Sequence, residues 1–369
     1  MAKIAELSPL NFVRTGPAQY VNRAGILRNA GDCICPWGNR ALVSGGRNAL
    51  AVAEGPLIKS LEKTGIAWGK HLFTGECSPT NIAKIKGKAQ ELKANVIIGV
   101  GGGKSLDAAK QAAADLGLPV VCIPTIAATC AATSAISIIY DDRGVYEESH
   151  LQPRNPTVVL VDPKIIADSP GIYLRAGILD SLAKWFEGRT IWPSLENPDV
   201  QTAAAIQLAG VLYRGHRKYA LDAVRLNAEH RVEDPLIQTI DIVIFLTGMV
   251  QTLAKGILFT AIAHSLHNCL TLIEESQSVL HGLKVGYGIV VGLCVEKCPQ
   301  EEFEDVLSFL RQLGLEPSLK GLNMPFDREV VLRVADETAT LVEKMTLLKP
   351  PVDKFVIASA MEKLEARFG

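Results

Sequence analysis

The sequence has almost no net charge, because 38 lysines and arginines are balanced by 39 aspartates and glutamates to give −1 at pH 7. A chain without a basic excess lacks the electrostatic footprint of a protein that binds nucleic acid or an anionic membrane. Its eight cysteines include no C-x-x-C pair, and most of them lie in apolar runs. Reduced cysteine of this kind is typical of the cytoplasm and argues against a disulfide framework. We therefore expect a small-molecule partner.

Long uninterrupted apolar runs are also scarce. The N-terminal stretch MAKIAELSPLNF lacks the apolar core of a signal peptide. Residues 116–140 are apolar but are broken by Pro119 and Pro124, and residues 237–255 carry Asp241 in mid-run. Neither run is a convincing membrane span, which needs about 20 apolar residues. We expect a soluble, cytoplasmic protein.

The pattern of predicted elements changes once along the chain. With 48% hydrophobic residues the 369-residue chain can form a large core, and its length suggests two domains. In residues 1–162, strand-like runs such as NVIIGV and TVVLVD alternate with helical runs. This alternation predicts an α/β domain with a parallel sheet covered by helices on both faces. Residues 163–369 have helical periodicity and predict an all-α second domain.

The stretch GVGGGKSLDAAK, residues 99–110, resembles two phosphate-binding motifs but matches neither. A Walker A loop would need glycine at Ile98, and a dinucleotide fingerprint would need glycine at Lys104. The context nevertheless fits, because a buried strand leads through glycines into a helix, where backbone N–H groups and the helix dipole favour an anion. We expect a diphosphate here. The alternative is a tight strand-to-helix turn without a ligand.

Three residues far apart in the sequence form a possible metal site. Asp180 lies in an otherwise apolar helical stretch, His264 lies in TAIAHSLHN, and His281 opens HGLKVGYG. One carboxylate and two imidazoles leave room for water or substrate, which is typical of a catalytic metal. Spacing alone favours the ordinary alternative, in which the Asp caps or pairs with a lysine and the histidines are simply hydrogen-bonded.

Several motifs, in order, resemble the glycerol dehydrogenase branch of the iron-containing alcohol dehydrogenase superfamily. They are GVGGGKSLDAAK, PTIAATCAATSAISIIYDDRG, GILDSLAKWFEGR, AHSLHNCLT and HGLKVGYG, and together they extend over most of the chain. The resemblance implies a dinucleotide-binding α/β domain, a helical domain and an active site in the cleft between them. The cofactor residues that it implies are Gly102, Gly103 and Lys104 at the diphosphate, Asp107 in support of that turn, and Thr125, Ser134, Ile136 and Tyr140 along the rest of the cofactor.

The resemblance also assigns Asp180, His264 and His281 to the family's metal-ligand positions. The iron-dependent branch has a fourth ligand, a His, where this chain has Lys184. Zinc is therefore favoured, with iron, nickel or manganese as alternatives. His267 lies one helical step from His264 and is a candidate catalytic group that donates to substrate or relays a proton. The alternative for His267 is a hydrogen-bonded packing residue.

Two departures from the glycerol branch concern the substrate. Cys130 stands where that branch has an Asp that accepts a hydrogen bond from a polyol, and Lys184 adds a positive charge one helical turn from Asp180. Together they favour an anionic substrate, a 2-oxo acid or 2-hydroxy acid, and resemble a hydroxycarboxylate dehydrogenase subgroup. Cys130 is thus a candidate substrate-binding residue and Lys184 a candidate catalytic residue. If Lys184 points to solvent and Cys130 merely packs, a polyol is the alternative substrate.

The choice of nicotinamide depends on the first predicted strand, DCICPW. After it, Asn39 stands where NAD users of the family commonly have Asp, and Arg40 follows. An uncharged residue beside an Arg suits a ribose 2′-phosphate, so NADP(H) is favoured over NAD(H). A sugar-phosphate cyclase and a non-catalytic nucleotide-binding protein are further alternatives. Family members often form homo-oligomers, and we expect one here.

Overall fold

A six-stranded parallel sheet forms the first part of the molecule. The structure is a computed structural model that describes residues 15–254, 260–345 and 352–369. The N-terminal stretch MAKIAELSPLNF lies outside the described residues. The strands are β1 (Gln19–Asn22), β2 (Arg40–Gly45), β3 (Ala67–Leu72), β4 (Val96–Gly101), β5 (Val120–Pro124), β6 (Ile136–Tyr140), β7 (Tyr146–Leu151) and β8 (Val158–Val161). The parallel sheet has the order β1-β8-β5-β4-β2-β3, while β6 and β7 form an antiparallel hairpin.

Helices cover both faces of this sheet and make up the rest of the molecule. In chain order they are α1 (Ala30–Ile34), α2 (Arg47–Lys63), α3 (Pro79–Glu91), α4 (Gly103–Leu116), α5 (Pro163–Ala167), α6 (Gly171–Ile191), α7 (Val200–Ala228), α8 (Asp234–Asp241), α9 (Thr247–Leu253), α10 (Ile262–Leu270), α11 (His281–Val295), α12 (Gln300–Gln312), α13 (Arg328–Met345) and α14 (Lys354–Phe368). A π-helical turn, Ile242–Leu246, joins α8 to α9. The predicted architecture, a parallel α/β sheet followed by helices, is confirmed.

The central strands are buried because helices cover both faces of the sheet. Every residue of β4, VIIGVG, is buried, as expected for a parallel strand covered by helices on both sides. In β2 the residues from Ala41 to Gly45 are likewise buried. The register pairs Gly45 with Val100, so the carboxyl ends of β2 and β4 lie side by side.

The predicted strand DCICPW is wrong. Its first residues belong to α1, and strand β2 begins only at Arg40. The physical reason is the spacing of the buried side chains: Leu27, Ala30 and Ile34 are fully buried and recur every three to four residues, which is a helical period.

Close packing of α6 against α11 sets the geometry of the helical part. Gly282 makes it possible, because a Cβ at this position would lie 1.8 Å from the carbonyl oxygen of Ala176 in α6. At the next turn, a Cβ at Gly286 would lie 3.2 Å from the side chain of Leu179. The backbone of α11 therefore approaches α6 more closely than side chains would allow, and the first residue of α11, His281, comes next to the middle of α6.

The apolar stretch around Asp241 folds into this helical part. Asp234–Leu253 is long and apolar enough to cross a membrane by length and composition, but half of its apolar window is buried within the protein. Asp241 itself accepts hydrogen bonds from Tyr20 and Asn22 of β1, at 2.7 and 2.8 Å. The stretch thus packs as core helices do and ties the helical part to the edge of the sheet.

Candidate functional site

Asp180, His264 and His281 meet at one point between three helices. Asp180 lies in the middle of α6, His264 near the start of α10, and His281 at the first residue of α11. The Nε2 atoms of His264 and His281 lie 3.3 and 3.0 Å from Oδ1 of Asp180. One possible ligand atom from each residue lies within 4.8 Å of the other two. A carboxylate oxygen and two imidazole nitrogens that converge in this way fit a divalent transition metal.

Residues outside the cluster contact the Nδ1 atoms of both imidazoles. Nδ1 of His264 hydrogen-bonds Oε2 of Glu187, and Nδ1 of His281 lies 2.9 Å from Nε2 of His267. His267 in turn places its Nδ1 3.0 Å from Oδ1 of Asn268. Because both Nδ1 atoms have partners outside the cluster, both Nε2 atoms are left to face Asp180. His267 therefore contacts the candidate ligand His281.

Glu187 is a site residue that the sequence analysis missed. It is 3% exposed and lies on α6 seven residues after Asp180. Positions seven residues apart lie on the same face of a helix. The spacing of Glu187 from Asp180 therefore predicts that it faces the candidate metal site. The apolar neighbours of Glu187, however, make the stretch resemble ordinary helix core.

The buried charges at this point stabilise one another. Burial alone would raise the pKa of Asp180, but His281 and His264 outweigh it and hold the pKa well below its ordinary value. Glu187 follows the same pattern: burial opposes ionisation, and His264 and Lys184 outweigh burial and lower its pKa. Burial acts to lower the pKa of His264, but the carboxylate of Glu187 raises it. Burial, together with the charge of His281, holds the pKa of His267 well below its ordinary value.

Two predicted substrate residues lie beside this cluster. Lys184 is only 5% exposed, and its charge acts on Glu187, His264 and Cys130. Cys130 is buried, and its thiol donates a hydrogen bond of 3.1 Å to Oε1 of Gln251 on α9. Burial raises the pKa of Cys130 to about 12, with a smaller contribution from Asp180, so the thiol is neutral over the physiological range.

The glycine turn lies at the carboxyl end of β4, the edge at which open α/β sheets bind ligands. Gly101 has φ +143°, a conformation that favours glycine. Gly102 then caps α4 without any side-chain hydrogen bond, and Gly103 is the first helical residue. The first turn of α4 thus presents backbone N–H groups that no cap side chain occupies, as a bound diphosphate requires.

Lys104 and Thr125 lie at the same edge. The side chain of Lys104 is 58% exposed and pairs with Glu76 at 2.5 Å. Thr125 follows β5, and its N–H donates to the carbonyl oxygen of Gly101 at 3.1 Å. The structure therefore brings Thr125 to the glycine turn, and it leaves the Lys104 ammonium where a phosphate could replace Glu76 as its partner.

Asp107, Ser134 and Ile136 connect α4 to the β6–β7 hairpin. Asp107 pairs with Lys110 at 2.8 Å and accepts a hydrogen bond from the N–H of Ile138. Lys110 also donates to the carbonyl oxygens of Ser134 and Ile136. Burial raises the pKa of Asp107, and Lys110 opposes that shift. In this arrangement Asp107 fixes the hairpin against the helix that follows the glycines.

Tyr140 ends β6 near the same charges. Its ring packs edge-on against Tyr146, with centroids 6.3 Å apart. Burial raises the pKa of its hydroxyl, and the nearby carboxylates of Asp107 and Glu76 add to the shift. The backbone N–H of Tyr140 also donates to the carbonyl oxygen of Cys77, the residue after Glu76, at 3.0 Å, so Tyr140 lies near the Lys104–Glu76 pair.

Asn39 and Arg40 are not brought to the cofactor edge. Both are exposed and precede or begin β2, with their N–H groups bonded to Oδ1 of Asn95 at 3.1 and 2.9 Å. They lie at the amino end of β2, whereas the glycine turn lies at the carboxyl ends of the strands. Six residues of strand separate the two edges, because β2 runs through RALVSG and not through DCICPW. Asn39 and Arg40 therefore cannot contact a ribose phosphate at the cofactor edge, and the prediction of NADP(H) from these two residues is wrong.

Comparison with known proteins gives consistent matches. A sequence model described as iron-containing alcohol dehydrogenase matches residues 17–163. A glycerol dehydrogenase of Escherichia coli O6:H1 is 35% identical over 88% of this chain and 88% of its own length. Hydroxycarboxylate dehydrogenase A of another Escherichia coli strain is 34% identical over 97% of this chain and 99% of its own.

The fold has close counterparts among solved structures. A probable glycerol dehydrogenase from Sinorhizobium meliloti superposes with a TM-score of 0.86 at 29% identity, covering 96% of this chain and 98% of its own. These relatives support a dehydrogenase over a sugar-phosphate cyclase or a non-catalytic protein. The chain belongs to the iron-containing alcohol dehydrogenase family and is a metal-dependent, NAD-linked alcohol dehydrogenase.

Proposed function

We propose that this dehydrogenase interconverts a small 2-oxo acid and the corresponding 2-hydroxy acid by hydride transfer. The observation that carries the proposal is Lys184, a residue that is 5% exposed and lies one helical turn from Asp180 on α6. With the described residues its ammonium group makes no hydrogen bond and no close ion pair. An ammonium group on a largely buried side chain is stabilised by an anionic partner. A substrate carboxylate at this position would supply that partner.

The neutral thiol of Cys130 supports the same substrate class. An Asp at this position, as the glycerol branch has, would place a negative charge beside Asp180 and repel a carboxylate. The thiol removes that charge, and it stays un-ionised because burial raises its pKa to about 12. Lys184 and Cys130 thus change the local charge in the same direction, towards acceptance of an anion.

Asp180, His264 and His281 would hold one divalent metal, with zinc first and iron, nickel or manganese as alternatives. When bound, that metal supplies Lewis-acid polarisation of a carbonyl, and the nicotinamide supplies the hydride. The chain itself positions the reactants. Gly102, Gly103 and Lys104 would hold the cofactor diphosphate, and Lys184 would orient the substrate by its carboxylate. His267 keeps a neutral ring behind His281 because burial lowers its pKa, so it can accept a hydrogen bond from the Nδ1–H of His281.

Polyol oxidation is the second candidate, and the relatives favour it. The glycerol dehydrogenases of Escherichia coli and of Pseudomonas putida are 35% and 34% identical over 88% of this chain. In that case Oε1 of Gln251, which accepts the hydrogen bond from Cys130, would be the neutral acceptor for a polyol hydroxyl.

The deciding experiment measures turnover of metal-reconstituted protein by nicotinamide absorbance. NADH and NADPH are each combined with 2-oxobutyrate, and NAD⁺ and NADP⁺ are each combined with glycerol. Reduction of the oxo acid with a higher kcat/KM than glycerol oxidation supports the proposal, and the preferred coenzyme is read from the same matrix. Turnover of glycerol alone refutes the proposal in favour of the second candidate. The proposed homo-oligomer is tested separately by sedimentation of the purified chain.

A further inference from the structure

The carboxylate of Glu187 binds three N–H groups at the start of α10. Its Oε1 accepts hydrogen bonds from the backbone N–H of Ala261 at 2.6 Å and of His264 at 3.0 Å. Its Oε2 bonds Nδ1 of the His264 ring. No side chain of the cap residue Ala261 itself closes this helix start. Glu187 therefore caps α10 from α6 and at the same time contacts a candidate metal ligand.

These contacts determine which nitrogen of His264 carries the proton. Both ring nitrogens of His264 face a carboxylate: Nδ1 faces Glu187, and Nε2 faces Asp180 at 3.3 Å. The contact with Glu187 is much the shorter, so the single proton of the neutral ring lies on Nδ1 and is donated to Glu187. The neutral ring then has its lone pair on Nε2, the atom that faces Oδ1 of Asp180 at 3.3 Å. A metal needs that lone pair.

We propose that Glu187 is a positioning residue that fixes His264 in its Nδ1–H tautomer and thereby sets the metal affinity of the site. The inference rests on the proposed metal site of Asp180, His264 and His281. Carboxylates that accept the second ring N–H of a ligating His fix its orientation and raise its basicity as a ligand. Glu187 also fixes the backbone from which the ligand projects, because its other oxygen holds the first N–H groups of α10.

The Glu187→Gln variant reverses this hydrogen-bond pattern with almost no change in shape. Its single amide oxygen can satisfy either the two backbone N–H groups or the ring N–H. With the oxygen on the two backbone donors, the amide NH₂ faces Nδ1 of His264 and donates to it. The ring proton must then move to Nε2, which can no longer ligate a metal without losing that proton.

The test combines metal titration with nitrogen NMR of isotopically labelled histidine, which is tractable with seven histidines in the chain. We expect Glu187→Gln to weaken zinc binding by about 10- to 100-fold. In metal-free protein at alkaline pH, where the ring is neutral, we expect the His264 signal to change from the Nδ1–H to the Nε2–H tautomer. The signal of His281 should not change, because its Nδ1 is held by His267.

Two further variants serve as controls. Glu365→Gln replaces another buried carboxylate that accepts a backbone N–H, that of Leu319 at 2.9 Å, on a different helix. It should leave zinc affinity and the His264 tautomer unchanged. Glu187→Asp keeps the carboxylate, so we expect the Nδ1–H tautomer to persist.

The outcomes separate this inference from the function on which it rests. If wild-type protein binds no zinc, the proposed metal site fails and the inference fails with it. If wild-type protein binds zinc and Glu187→Gln binds it equally well, the metal site stands and the inference is overturned. The tautomer of metal-free wild-type protein is decisive even if Glu187→Gln does not fold: an Nε2–H ring at His264 would overturn the inference by itself.

Discussion

Replacement of Lys184 by methionine should change substrate preference without abolishing metal binding. Methionine keeps a long, flexible side chain in a position that is 5% exposed, and it removes the ammonium group. If that group binds a substrate carboxylate, the variant loses a hydrogen bond between charged partners, which is worth about 1.5–3 kcal/mol. Since about 1.4 kcal/mol corresponds to a factor of ten, kcat/KM for 2-oxobutyrate should fall by about 10- to 100-fold.

The same variant should behave differently towards an uncharged substrate. Glycerol has no carboxylate to pair with Lys184, so kcat/KM for any glycerol oxidation should stay within about two-fold. Metal affinity should hold or increase, because the ammonium group acts against positive charge at His264 and lowers its pKa. Lys218→Met, at a fully exposed lysine, is the matched control and should alter neither quantity.

The assay compares kcat/KM for 2-oxobutyrate and glycerol in wild type, Lys184→Met and Lys218→Met, each with measured zinc content. A selective loss of oxo-acid turnover in Lys184→Met supports the assignment. An equal loss for both substrates with full zinc content would refute it, because Lys184 would then act on the site as a whole and not on the substrate carboxylate.

Three further predictions concern the metal, the packing of the site and pH. Metal-free protein prepared by chelation should be roughly 2.7 kcal/mol less stable to thermal unfolding than protein in the presence of free metal at 100 times its Kd. Asp180→Asn should abolish this difference. Gly282→Ala should cost about 1–3 kcal/mol in urea unfolding, because its Cβ would lie 1.8 Å from the carbonyl oxygen of Ala176; Gly87→Ala, in open space on α3, is the control and should be neutral or stabilising. Burial raises the pKa of Glu296 to about 7 although Arg189 opposes the shift, so the folded state favours the protonated carboxyl. The stability that the protonated carboxyl contributes is present at acid pH and is lost as pH rises towards about 7. In Glu296→Gln the urea concentration at the unfolding midpoint should therefore change less over this pH range.

The sequence was sufficient for features that depend on local pattern. The glycine turn could be predicted because a buried strand, three glycines and a helix follow one another within a few residues. The convergence of Asp180, His264 and His281 was different, since spacing alone favoured the ordinary alternative and the family resemblance decided it. In the structure their meeting depends on Gly282, which lets α11 approach α6, and a single glycine does not reveal which helix it will contact.

Two features differ from the sequence-based expectation for different reasons. The apolar residues of DCICPW predict a strand. The ribose contact is expected just after the end of that strand, and this assigns it to Asn39. The true strand begins at Arg40, and this displacement moves the candidate residues to the opposite edge of the sheet. Glu187 was missed for the converse reason, because an acidic residue in an apolar stretch has no visible partner until α10 is folded against it.

One face of α6 carries three charged side chains. Asp180, Lys184 and Glu187 follow one another at spacings of four and three residues, so they lie along a single line on the helix. All three are at most 5% exposed. Asp180 faces the candidate metal site, Glu187 binds the His264 ring and the start of α10, and Lys184 is proposed to pair with a substrate anion. Because the partners differ, the effects should separate on substitution. Loss of charge at Lys184 should change substrate preference with metal affinity intact, whereas loss of charge at Glu187 should weaken metal binding and reduce turnover of every substrate in proportion to the metal lost.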